Sequence, residues 1–183
     1  LSRLACTCCG DARNSRAATN AAPAISDVSH YPVLPAANEA VLVTARVDDP
    51  DGLASVQLMY RVDPNATVLA VPMLDDGTGG DGRAGDGLYT ATLPGQPANI
   101  LVAFHVQATD GFTPPATSTF PNNAPTRECL VRFGESVASG SFPSYRIWMT
   151  QATFNTWDTR HNLNNTLNDV TFVLGNYRVI YNA

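Results

Sequence analysis

The chain of 183 residues contains no lysine, so all eleven of its basic residues are arginines. This absence excludes, within this chain, a lysine that anchors nucleotide phosphates or forms a Schiff base. Sixteen acidic residues bring the net charge to −5. Because nucleic acids and anionic membranes bind clustered cations, we expect neither as a partner.

Long apolar runs are also missing. No stretch of about eighteen apolar residues occurs, so the sequence predicts no membrane-spanning helix. Charged residues make up only 15% of the chain and hydrophobic residues 44%, which is typical of a globular protein with few charges. Thirteen prolines and thirteen glycines favour short strands joined by turns over long helices.

Cysteine is scarce, with Cys6, Cys8 and Cys9 near the start and Cys129 far downstream. The N-terminal cluster lacks the paired CxxC spacing of a zinc ribbon. Cys129 lies in an apolar segment whose alternation can turn it inward as a small buried residue. A disulfide to the N-terminal cluster, in an oxidising compartment, and a metal ligand are the two other interpretations.

Regular alternation of apolar and polar residues begins at Val41. It recurs in Val41–Val47, Ser55–Val62 and Leu101–Thr109, with turn-forming Asp, Pro, Asn and Gly between strands. In the last of these strands His105 is expected on the exposed face. About seven short strands within residues 23–134 predict an antiparallel β-sandwich of immunoglobulin- or fibronectin-like kind, in a mainly β protein.

The two ends of the chain differ from this sandwich in their sequence pattern. Residues 1–22 have no periodicity and are interpreted as a linker or the tail of an upstream segment. Residues 135–183 predict a strand, two helical turns and a hairpin, which is too little to bury its own apolar faces. We therefore interpret them as the incomplete start of a second, partly α+β domain. Trp148 and Trp157 are expected in its core, with an aromatic surface for a carbohydrate or a partner chain as the alternative.

One loop stands out by composition. Residues 75–87 hold four Asp and six Gly, which no helix or strand interior tolerates. Calcium is bound by carboxylates and carbonyls, and glycines let carbonyls turn inward. The candidate metal ligands are Asp75, Asp76, Asp81 and Asp86. The alternative is a long polar turn whose Asp side chains accept hydrogen bonds from backbone amides.

Two segments carry a family resemblance. The first spans residues 71–96, reads VPMLDDGTGGDGRAGDGLYTATLPGQ, and resembles immunoglobulin-like modules of large secreted bacterial proteins. The second comprises FPSYRIWMT and TFVLGNYRVIYNA and is similar to the lead-in of the CotH family of spore-coat-associated, kinase-like proteins. The resemblance implies an extracellular β-sandwich that stands directly before a phosphate-transferring domain. No residue here matches that family's nucleotide-anchoring lysine or metal-binding Asp, so the resemblance assigns no catalytic residue to this chain.

Two functional hypotheses follow. The first is a non-catalytic module at the cell surface or outside the cell, with calcium as a candidate stabilising ion, that acts as a structural, adhesion or assembly element. The second is the N-terminal portion of a CotH-like secreted protein kinase whose catalytic residues lie beyond this chain. The expected partners are proteins, either neighbouring copies that pair by strand addition or the remainder of a larger chain.

Overall fold

The structure is a computed structural model that describes residues 20–136, 144–161 and 163–181. The predicted linker, apart from its last residues, and the three N-terminal cysteines lie outside this range. Within the described residues there are eleven strands and one helix. In chain order they are β1 (Ala24–Tyr31), β2 (Val41–Asp48), β3 (Leu53–Val62), β4 (Leu69–Pro72), β5 (Leu88–Leu93), β6 (Leu101–Asp110), β7 (Thr117–Phe120), β8 (Cys129–Arg132), β9 (Tyr145–Trp148), α1 (Gln151–Thr159), β10 (Thr171–Leu174) and β11 (Arg178–Tyr181).

The strands form antiparallel sheets. One sheet has the order β1-β2-β5, and a five-stranded sheet has the order β4-β3-β6-β7, with β8 paired to the other half of β6. These two sheets enclose a common hydrophobic core. The predicted mainly β, sandwich-like fold is therefore confirmed.

The core follows the alternation in the sequence. Val41, Val43, Ala45 and Val47 of β2 are all buried. The facing sheet contributes alternate residues of its two central strands, namely Val56, Leu58 and Tyr60 from β3 and Val102, Phe104, Val106 and Ala108 from β6. Such residues point to the same side of a strand, so each sheet turns one apolar face to the other.

His105 departs from the expectation. The alternation places it on the outer face of β6, yet it is buried, as is its neighbour Ala103. β6 is a central strand, with β3 on one side and β7 and β8 on the other. Burial lowers the pKa of His105, and the negative charge of Glu128 opposes that shift. The predicted exposure of His105 was wrong because alternation tells the two faces of a strand apart but does not show how deeply its neighbours cover the outer face.

The C-terminal strands form a third sheet with the order β11-β10-β9. Its inner face contributes Trp148 and Val173 to the same hydrophobic core as the sandwich. Thr171 is fully buried, and its hydroxyl accepts a hydrogen bond from the backbone amide of Leu130 in β8 at 3.2 Å. The predicted strand, helix and hairpin are all present, and the strands bury one face against the sandwich. A domain boundary near residue 134 stays a prediction.

Helix α1 begins with Thr150, whose side chain accepts a hydrogen bond from the backbone amide of Thr153 at 3.2 Å, as N-cap threonines do. A carboxylate oxygen of Asp63 accepts from the amide of Gln151 at 2.8 Å, and this joins the helix to the end of β3. None of the helix residues is buried. In the described part of the chain, no helix has the length and apolar character needed to cross a membrane.

Candidate functional site

The loop from Asp75 to Gly87 passes from one sheet of the sandwich to the other. It leaves the five-stranded sheet after β4 and enters the three-stranded sheet at β5. Leu74 and Thr90 exchange two backbone hydrogen bonds, each of 2.9 Å, which close the base of the loop. The loop therefore braces one end of the sandwich.

Glycine is required at specific points of this loop. Gly80 has a φ of +106°, a conformation that residues with a Cβ rarely adopt. A Cβ at this position would also overlap the side chain of Leu42 in β2. A side chain at residue 80 would therefore strain the backbone and displace Leu42.

Asp75, at the start of the loop, and Asp81, at its middle, organise the loop backbone. Asp75 accepts hydrogen bonds from the backbone amides of Gly85 at 2.6 Å and Gly87 at 2.9 Å. Asp81 is buried, and it accepts from the amides of Gly77 at 2.7 Å and Arg83 at 3.0 Å. These contacts are the carboxylate–amide hydrogen bonds expected for a long polar turn. They explain how so glycine-rich a segment is ordered.

The same fold gathers three of the four candidate ligands. One carboxylate oxygen from each of Asp75, Asp81 and Asp86 lies within 4.8 Å of the other two. Asp76 is not part of this group. Its carboxylate instead accepts from the backbone amide of Thr78 at 2.9 Å and from the Thr78 hydroxyl at 2.7 Å. We call Asp75, Asp81 and Asp86 the acidic cluster.

The surroundings of the acidic cluster set its electrostatics. Asp86 accepts from the amide of Leu88 through its carboxylate at 3.0 Å, and its backbone carbonyl accepts from the guanidinium of Arg46 at 3.0 Å. Burial raises the pKa of Tyr89, and the negative charge of Asp75 raises it further. Three carboxylates at this spacing repel one another, and a hard divalent cation bound by their free lone pairs would relieve that repulsion.

We expect Asp81→Ala to lower the free energy of unfolding by about 1–3 kcal/mol, because the amides of Gly77 and Arg83 would lose their acceptors. Urea unfolding in the presence of a chelator measures this loss apart from any bound metal. Asp76→Ala is the matched control: Asp76 is exposed and caps only the Thr78 turn. Equal losses in the two variants would contradict the structural role assigned to Asp81.

A buried histidine surrounded by aromatic rings lies in the core, and no local pattern in the sequence indicates it. His30 of β1 is buried, its Nδ1 lies 2.5 Å from the hydroxyl of Tyr181, and its Nε2 lies 3.3 Å from the carbonyl oxygen of Val33. A carbonyl only accepts, so Nε2 carries the proton and the Tyr181 hydroxyl donates to Nδ1. We call His30, Phe104, Phe120, Trp148 and Tyr181 the His30 cluster, since their rings contact one another.

The remaining candidate residues, Cys129, Trp148 and Trp157, lie in different environments. Cys129 is buried with a free thiol, in agreement with the first of its three interpretations, and burial raises the pKa of that thiol well above its usual value. The proposed disulfide involves cysteines outside the described residues. Trp148 is buried in the shared core, whereas Trp157 is exposed on α1.

Comparison with protein-family models finds no match to this chain, and comparison with curated protein sequences finds no significant similarity.

Proposed function

We propose that the chain is a non-catalytic, extracellular β-sandwich module that serves as a structural, adhesion or assembly element and is stabilised by calcium at the acidic cluster. The observation that supports this proposal most directly is the convergence of Asp75, Asp81 and Asp86 in a loop that braces one end of the sandwich. A cation held there would fix the loop that joins the two sheets. Extracellular modules bind calcium with dissociation constants of about 10⁻⁴–10⁻³ M, which suits a site with three carboxylates.

The arrangement of the carboxylates favours a structural ion over chemistry. Asp75 and Asp81 each accept two or more backbone amide bonds, so their orientation is fixed by the loop itself. A carboxylate oxygen that accepts an amide keeps a lone pair for a cation. Calcium tolerates this mixed environment because it takes oxygen ligands in flexible geometry.

Thermal unfolding with and without calcium tests the proposal. At 10 mM calcium the dissociation constants above give a stabilisation of about 1.4–2.7 kcal/mol, which corresponds to a rise in melting temperature of about 3–10 °C for a domain of this size. The rise should be reversed by a chelator and should be smaller with magnesium, which demands stricter geometry.

The matched variants are Asp86→Asn and Asp76→Asn. Asparagine at position 86 keeps an oxygen that accepts from Leu88 but removes the charge, so the calcium-dependent rise should disappear. Asparagine at position 76 lies outside the acidic cluster and should leave the rise intact. A calcium effect absent from the parent protein, or unchanged in Asp86→Asn, would overturn the calcium site. Antibody staining of intact source cells tests the extracellular location.

A second candidate, the positioning of a CotH-like kinase domain, is favoured by the outer face of the third sheet. Tyr145, Ile147 and Ile180 are exposed on that face, and the Tyr145 and Phe172 rings stack there with centroids 5.7 Å apart. Contiguous exposed apolar residues mark surfaces that contact other protein. The coding sequence beyond Ala183 separates the two candidates: metal-binding acids and a nucleotide-anchoring lysine would favour the kinase, and a stop or further sandwich repeats would favour the first proposal.

A further inference from the structure

A cavity of about 490 Å³ lies between α1 and one end of the sandwich. This volume is within the range of about 300–1,000 Å³ typical of small-molecule sites. The sandwich contributes the segments around Asp63, Asn99 and Arg132, and the helical side contributes Gln151, Phe154 and Trp157. The cavity is separate from the acidic cluster, whose residues do not line it.

Two aromatic rings form one wall of the cavity. Phe154 and Trp157 lie three residues apart on α1, so they project from the same face of the helix. Their ring centroids are 6.0 Å apart and their planes make an angle of 50°. The two side chains are 42% and 45% exposed, so their rings are not buried in the core and can contact a ligand.

The polar lining of the cavity carries charges that are already paired. Asp63 forms an ion pair with Arg61 at 3.0 Å, and Arg132 forms one with Glu135 at 3.4 Å. An anionic ligand would have to compete with Glu135 and approach the carboxylate of Asp63, which is unfavourable. The paired groups still offer hydrogen bonds to a neutral ligand.

Arg132 supplies guanidinium donors to the cavity. Its Nε is closed to solvent and lies 3.4 Å from a carboxylate oxygen of Glu135, whereas the side chain as a whole is 41% exposed. The terminal amino groups of the guanidinium are therefore the donors that a ligand can reach. The Asn99 side chain adds an amide, which both donates and accepts.

We propose that this cavity binds a neutral saccharide. An apolar ring face of the sugar stacks on Trp157 or Phe154, and its hydroxyl groups form hydrogen bonds with Asn99, Gln151 and the guanidinium of Arg132. A sugar ring combines an apolar C–H face with hydroxyls that donate and accept, and this combination matches an aromatic wall beside paired charges. The inference gives a ligand class to the adhesion role within the proposed function and rests on that role. It does not depend on calcium at the acidic cluster.

The test uses the full chain and five neutral tetrasaccharides as probes: β-1,4-glucan, α-1,4-glucan, β-1,3-glucan, β-1,4-mannan and β-1,4-linked N-acetylglucosamine. Isothermal titration and tryptophan fluorescence measure binding in chelator. At least one probe is expected to bind with a dissociation constant of 1 mM or tighter. Trp157→Ala should weaken that binding at least tenfold without lowering the melting temperature by more than a few degrees.

Tyr31→Ala is the matched control, because Tyr31 is an exposed aromatic residue of β1 that does not line the cavity. It should bind the probe as the parent protein does. Failure of all five probes, or equal binding by Trp157→Ala and the parent, would overturn the proposal. Tighter binding of tetragalacturonate than of any neutral probe would overturn the preference for neutral sugars. Because titrations are done in chelator, none of these failures bears on the calcium site.

Discussion

Replacing Trp148 with alanine is expected to lower the free energy of unfolding by about 3–5 kcal/mol, the usual cost of removing a large buried aromatic side chain. Trp148 is 3% exposed and belongs to the core that the third sheet shares with the sandwich. Its ring lies 6.4 Å from His30, centroid to centroid. The cavity left by alanine would therefore weaken both sides of this contact, and we expect one cooperative transition at a lower denaturant concentration.

The chain carries its own control for this experiment. Trp157 is the other tryptophan and is 45% exposed on α1, so Trp157→Ala should cost less than about 1 kcal/mol, as surface substitutions do. Urea unfolding followed by far-ultraviolet circular dichroism compares the two variants. The contrary outcome is that Trp148→Ala unfolds in two steps, with a sandwich transition at the parent's denaturant midpoint. The residues after 134 would then fold as a separate domain, and the shared core would contribute little to the stability of the sandwich.

The second large effect is a loss of stability in acid that depends on His30. Burial lowers the pKa of His30 from 6.5 to about 4, although the hydrogen bond to Val33 opposes the shift. As the pH falls, the His30 imidazole therefore takes up a proton near pH 6.5 in the unfolded chain but only near pH 4 in the folded chain. The stabilisation is fully present above pH 6.5 and is lost as the pH falls towards 4. The loss amounts to about 3 kcal/mol, from 1.36 kcal/mol per pKa unit.

His30→Gln isolates this contribution from the carboxylates that titrate in the same range. The difference in unfolding free energy between the parent and His30→Gln should shrink by about 3 kcal/mol between pH 7 and pH 4. His161→Gln, at an exposed position, should keep the parent's pH dependence. Urea titrations at several pH values measure all three proteins. A His30→Gln variant that loses stability in acid as steeply as the parent would refute the buried, neutral state of His30.

The sandwich was predictable because its information is local. Val41, Val43, Ala45 and Val47 alternate with polar residues, and burial on one face follows directly from the period of a strand. The hairpin predicted within residues 135–183 is likewise present, as β10 and β11, because each of its strands carries its own apolar residues. The candidate site was partly predictable for the same reason, since a run of Asp and Gly can order itself only through carboxylate–amide bonds or a bound cation.

What the sequence could not show depends on distant contacts. Asp76 and Asp75 are adjacent and chemically identical, yet only Asp75 reaches the amides of Gly85 and Gly87, ten and twelve residues away. Several glycines of the loop have positive φ angles, so the path of its backbone cannot be derived from the sequence pattern alone. The burial of His30 and the cavity beside Trp157 likewise require the packing of segments far apart in the chain, which alternation does not encode.

The contact between His30 and Tyr181 joins residues 151 positions apart, and it has a consequence for synthesis on the ribosome. β1 is the first described strand to emerge and β11 is the last. At about 5–20 residues per second, His30 waits about 8–30 s for the tyrosine that covers it. During that interval the flank of the sandwich that Trp148 and Tyr181 will cover remains open to water and to neighbouring nascent chains. Contacts of such long sequence separation also slow refolding in vitro, so this flank stays exposed to aggregation until β11 is released.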